Sequence, residues 1–109
     1  MKKAEFQDYV DDMLDAAGKI QAFLLHDNFE SFSKDEKTQF AVIRALEIIG
    51  EASNKIPASI KKKHPDIPWR AISGMRNKLI HDYFGVDIDV VWKTAMEDIP
   101  SIKIGRAHV

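Results

Sequence analysis

Phe40-Ala41-Val42-Ile43-Arg44-Ala45-Leu46-Glu47-Ile48-Ile49-Gly50-Glu51-Ala52-Ser53 is the stretch whose reading decides the fold. Phe40, Ile43, Ala45/Leu46, Ile49 and Ala52/Ser53 recur at three- and four-residue steps, the period of a helix with one buried face. Just upstream, Ser33-Lys34-Asp35-Glu36 reads as a capping box, Ser33 accepting from the third backbone N–H and Glu36 reaching back to that of Ser33. The helix is therefore expected from Lys34 to about Ile56, and Pro57 closes it. Gly50 costs about 1 kcal/mol there relative to Ala. Close approach of another helix is the usual compensation, and a second copy of the chain can supply it.

Working outward, Phe6, Val10, Met13, Ala17, Ile20 and Leu24 predict an amphipathic helix from Lys3 to about Leu25, and residues 26–32 read as a loop. Beyond Pro57, three prolines enclose Ser59-Ile60-Lys61-Lys62-Lys63-His64, with room for one short helical turn. Pro68 suits the first turn of a following helix. Trp69, Ile72, Met75/Arg76, Leu79/Ile80 and Tyr83 carry that helix to about Phe84, with Gly85 as its stop. Asp87 or Asp89 can cap a final helix holding Val90/Val91, Trp92, Ala95/Met96 and Ile99, which Pro100 bends or ends. Val86 to Val91 is ambiguous by β-propensity, and no other stretch suggests a strand. The expected fold is all-α, an antiparallel bundle of four main helices plus one short one. Residues 1–104 are read as a single domain and 105–109 as a frayed or vector-derived tail.

Composition narrows the chemistry. The 109 residues are 45% hydrophobic and 30% charged, as in a folded domain, and there is no Cys, hence no disulfide, thiolate zinc site or cysteine nucleophile. No apolar run approaches the roughly 20 residues of a membrane span, and nothing resembles a secretory signal, so a cytoplasmic location is expected. Charge is unevenly placed: residues 1–54 carry −5, residues 55–81 carry +6 and residues 82–109 carry −2. A basic middle suits a polyanion, although a solvated face explains it equally well.

The densest polar segment on an otherwise apolar helix is Arg76-Asn77-Lys78-Leu79-Ile80-His81-Asp82-Tyr83. Arg76 is a permanent cation able to hold a phosphate in two hydrogen bonds, and His81 exchanges protons near neutral pH. Together they suffice for metal-free RNA cleavage, because RNA carries its own 2′-hydroxyl nucleophile. Five positions at ~100° each separate the two by ~140° around a straight helix. Convergence on one phosphate thus requires a distorted helix, the reach of the Arg76 side chain, or two copies exchanging residues across a twofold axis. The last is the preferred expectation.

Gly74-Met75-Arg76-Asn77-Lys78-Leu79-Ile80-His81-Asp82-Tyr83-Phe84-Gly85-Val86-Asp87 resembles the signature of HepT-like proteins of the HEPN superfamily: Arg, four residues, His, one residue, Tyr. Ala41 to Arg44, Ile48 to Ala52, Asp66-Ile67-Pro68-Trp69, Val91-Trp92 and Asp98-Ile99-Pro100 extend the match collinearly over about residues 5–102. The resemblance implies a homodimer with a composite cleft, a metal-independent endoribonuclease, and the toxin role of a toxin–antitoxin pair. Its antitoxin would be a small nucleotidyltransferase of the MntA type. Arg76 and His81 become the active-site pair, and Tyr83 the hydroxyl that the antitoxin modifies with AMP. The chain needs no cofactor of its own, ATP being consumed by that partner. Each AMP adds bulk and negative charge beside the cleft.

Around this pair, Asn77 shares a face with His81 and can steady the imidazole or bind phosphate. Arg44 and Glu51, seven apart on the preceding long helix, can position Arg76 or contact a partner. Lys61, Lys62, Lys63 and Lys78 are candidate contacts to RNA phosphates. His26, His64 and His108 lack companions at metal-ligand spacing, and Trp69 and Trp92 read as packing residues. A non-catalytic nucleotide- or substrate-binding subunit of a minimal nucleotidyltransferase, or a plain dimeric scaffold, are the alternative roles for such a fold.

Overall fold

The amphipathic periods are realised as helices throughout the computed structural model, which describes the backbone of residues 3–81 and 87–102 and the side chains of 6–75, 77 and 87–102. In chain order these are α1 (Lys3–Phe23), α2 (Phe29–Ser33), α3 (Glu36–Asn54), α4 (Ala58–Lys61), α5 (Trp69–His81) and α6 (Ile88–Lys93). After α6 the chain continues as a π-helical turn, Thr94–Asp98, and a 3₁₀ turn, Ile99–Ile102. No strand occurs among the described residues, and the ambiguous Ile88-Asp89-Val90-Val91 is helical. The fold is all-helical. The expected end of α5 near Phe84 with its Gly85 stop, and the 105–109 tail, lie outside the described residues.

Two expectations at the start of α3 need correction. Residues 26–32 are not all loop: Asn28 caps α2 by accepting from the Ser31 N–H at 2.8 Å, while Ser31 Oγ accepts from the Asn28 N–H at 3.0 Å. Ser33 ends α2, its hydroxyl donating to the Glu30 carbonyl, so it does not cap α3. Asp35 does, accepting from the Thr38 N–H at 3.1 Å and the Thr38 hydroxyl at 2.6 Å. Ser33 is taken up by α2, which the reciprocal Asn28–Ser31 cap starts five residues upstream, and Asp35 is the residue left to cap α3. Gln39, buried on α3, donates from Nε2 to the Phe32 carbonyl at 2.8 Å and ties α2 down.

The core is built by α1, α3, α5 and the C-terminal turns. Met13, Ala17 and Ile20 of α1, Val42, Leu46 and Ile49 of α3, Ile72 and Met75 of α5, and Val91, Ile99 and Ile102 are buried. Burying a side chain of this size contributes ~1.5–3 kcal/mol relative to exposure. α1 and α3 run antiparallel, since Phe23 and Ala41 line one end of the groove between them and Tyr9 and Lys55 the other. Gly50 is buried inside the chain. Phe40, expected inward, is 70% exposed: it falls on the stripe of Arg44 and Glu51, not on that of Val42, Leu46 and Ile49. Pro100 has no N–H to give one turn back. The final helix rewinds instead, with the Ile99 N–H reaching the Thr94 carbonyl five residues earlier.

Candidate functional site

α5 carries the sequence motif, and its placement begins at the connector that precedes it. Trp69 Nε1 donates to the His64 carbonyl at 3.0 Å, and Lys61 Nζ lies 5.6 Å from the Trp69 ring centroid, a cation–π contact. Pro68 acts as the α5 N-cap, its carbonyl accepting from the Ile72 N–H at 3.0 Å. Further along, Ile72 and Met75 anchor the helix in the core, and Ser73 Oγ meets Ser53 Oγ of α3 at 3.0 Å. Among the helices α5 packs principally on α3, so α3 is its main support.

The motif helix is regular α-helix from Trp69 to His81. A helix distortion between Arg76 and His81 therefore drops out as a way of bringing them together, and side-chain reach or a second copy remains. The side chains of Arg76, Lys78 and His81, and Tyr83 altogether, lie outside the described residues. Asn77 is exposed, as are Arg70 and Ala71. A Cβ added at Gly74 would meet nothing within 4 Å. Arg70, Gly74 and Asn77, spaced by four and three, thus form an open row along α5, and position 81 continues it by register. Sequence reasoning passed over Arg70, although its spacing from Asn77 was visible.

Arg44 and Glu51 sit elsewhere. Both are exposed and line the grooves between α3 and α1, the first with Asp12, Asp15 and Lys19, the second with Tyr9, Asp12 and Lys55. Ser53, which faces α5, is ~200° around the helix from Glu51. The two charges are directed away from the α3–α5 seam. Of the basic connector, Lys62 and Lys63 are exposed, while Lys61 is half-buried against Trp69. Lys63 and His64, with Gln7, also edge a mostly apolar cavity of ≈ 160 Å³ that reaches Phe6, Ile56 and Ile102.

Trp69 and Trp92 both pack: Trp92 lies 5.3 Å from Phe32 and edge-on to Phe29 at 6.2 Å. Among the described residues no three His, Cys, Asp or Glu groups gather as a metal site, and no helix is long and apolar enough to cross a membrane.

Comparison with known proteins gives a consistent likeness. Residues 13–107 match the family model described as ribonuclease HepT-like. A Thermococcus cleftensis protein named "Probable ribonuclease HepT" is 57% identical over 101 residues, covering 93% of this chain and 92% of that protein. Two Methanocaldococcus jannaschii proteins, each named "Putative RNase", are 44% and 45% identical over 103 residues, or 94% of this chain and 85% and 89% of theirs. No solved structure matches.

Proposed function

The chain belongs to the ribonuclease HepT-like family and is a ribonuclease of that kind; from this premise we propose that it is the toxin of a cytoplasmic toxin–antitoxin pair. The observation that carries the reading is the sequence motif Arg76-x4-His81-x-Tyr83, of which positions 76 and 81 fall on a regular helix with an open outer row, inside a likeness spanning most of the chain. His81 acts as the general acid/base. It takes the proton from the 2′-hydroxyl as that oxygen attacks phosphorus, or gives one to the departing 5′ oxygen. Arg76 stabilises the charge on the phosphoryl oxygens in the transition state. No metal step is required.

The ~140° between the two positions on an undistorted helix supports a homodimer in which one protomer supplies Arg76 and the other His81. Asn77, exposed on the same row, binds a phosphate oxygen or the imidazole, and Arg70 extends the cationic track. The exposed Lys62 and Lys63, with Lys78, hold the RNA backbone. A nucleotidyltransferase antitoxin silences the site by placing AMP from ATP on Tyr83, where the added phosphodiester repels RNA.

Protomer mixing tests the shared site. Arg76→Ala and His81→Ala chains are each inactive, and a one-to-one mixture regains about a quarter of wild-type RNA cleavage, since half the dimers keep one intact site of two. No regain shows that each chain uses its own pair. Co-expression with the transferase should add AMP masses that disappear in Tyr83→Phe. Nucleotide affinity with no RNA turnover by the wild type would point instead to a binding subunit.

A further inference from the structure

We propose that Arg70 binds a backbone phosphate a few nucleotides away from the bond that is cut, and so sets a minimum length for a well-held RNA substrate. This rests on the catalytic assignment of His81 and adds a second point of contact along the strand. Arg70 and position 81 are the second and last residues of a helix that is regular throughout. Eleven steps of ~100° leave them ~20° apart around the axis and ~16.5 Å apart along it. Arg76 is six steps from Arg70 and ~120° away from its stripe. Of the two arginines on α5, only Arg70 shares the stripe of position 81.

The row between them leaves room for a strand. Asn77 is exposed on it, Ala71 beside it is exposed and short, and a Cβ added at Gly74 would meet nothing within 4 Å. Charge points the same way. Arg70 is exposed and has no ion-pair partner among the described residues. It stands in the first turn of α5, where the backbone dipole disfavours a cation, and no acidic residue of that turn offsets it. The fold gives this guanidinium no anion, and a phosphodiester fits its planar fork. At the ~3.4 Å per nucleotide of a stacked strand, the distance from position 81 to Arg70 corresponds to about five nucleotides, and to fewer where the strand is extended. An RNA too short to span it reaches the cleavage site without the second contact.

Single-stranded RNA oligomers of about 3 to about 20 nucleotides, bracketing the ~5 of this footprint, test it. For the long oligomers Arg70→Ala should raise KM about five- to tenfold with kcat changed no more than about twofold, the signature of lost binding that is common to ground and transition states. The ratio of variant to wild-type KM should fall towards one as the oligomer shortens, which a merely structural role would not produce. Arg70→Lys, which keeps the charge but not the fork, should recover part of the loss. In the non-cleaving His81→Ala background, Arg70→Ala should weaken binding of the long oligomers alone and flatten its logarithmic salt dependence by about 0.7. A loss that is equal at every length, or absent at every length, overturns the proposal. So does a lower particle mass for Arg70→Ala in light scattering, which assigns the open row to a contact between protomers. A wild type that cuts none of the oligomers counts against the catalytic assignment, and the binding series still decides for or against Arg70.

Discussion

Ile72→Ala tests how α5 is held. Ile72 is 2% exposed, one turn before Arg76 on a helix whose main support is α3. The substitution removes about three carbons, worth ~0.8 kcal/mol each in transfer. The cavity left behind adds to this, so the loss should fall within the ~2–5 kcal/mol usual for such truncations. Against a total of ~5–15 kcal/mol for a domain of this size, the variant still folds but loses a large share of its margin. With a urea dependence of ~1–3 kcal/mol per molar, the unfolding midpoint should drop by about 1–2 M at unchanged slope and fixed chain concentration. Asn77→Ala, on the exposed row of the same helix, should move stability by no more than ~0.5 kcal/mol. If Ile72→Ala shifts the midpoint no further than Asn77→Ala, α5 is not anchored through its Ile72 face.

Other outcomes follow from single features. Gly18 and Gly74 each sit in a helix where an added Cβ meets nothing within 4 Å. Gly18→Ala and Gly74→Ala should therefore each stabilise the folded chain by up to ~1 kcal/mol in thermal unfolding, while only Gly74→Ala lowers RNA cleavage, because RNA or a second protomer approaches that row. Asp35 has its carboxyl held below the usual carboxylate value, first by the Thr38 hydroxyl and then by the Thr38 N–H. Its depressed folded value means that its contribution is complete above the unfolded value and disappears as pH falls through the folded one. The stability gap between wild type and Asp35→Asn should accordingly stay constant down to about pH 5 and shrink as pH falls below about 4, read by urea unfolding at each pH. Lys62→Ala and Lys63→Ala should each weaken RNA binding and flatten its logarithmic salt dependence by about 0.7 for every phosphate no longer neutralised, read by binding titrations at several salt concentrations.

The long amphipathic helices were legible because each has a continuous apolar period: α1, α3 and α5 fall within a few residues of the limits their sequences suggest wherever the backbone is described. What escaped reading was short and competitive. α2 spans five residues and exists through the Asn28–Ser31 reciprocal cap and the Gln39 bond to Phe32, contacts that a hydrophobic period does not record. Phe40 satisfied a count of apolar positions but sits on the Arg44–Glu51 stripe, which only the packing of α1 on α3 reveals as an outer wall. At the candidate site, residue types singled out Arg76 and His81 as candidates and the family resemblance added Tyr83, while the structure contributed the regularity of α5 and the open row of Arg70, Gly74 and Asn77. Arg44 and Glu51 shared a face as read, but nothing in their seven-residue spacing indicated that this face turns toward α1.

Incubating single-stranded RNA with purified protein in excess EDTA, wild type beside His81→Ala, is the most direct test of the proposed chemistry. Cleavage by the wild type and none by the variant, at equal helical signal, is the predicted result. Equal cleavage by both chains, or cleavage that EDTA abolishes, would contradict an imidazole-driven reaction without metal.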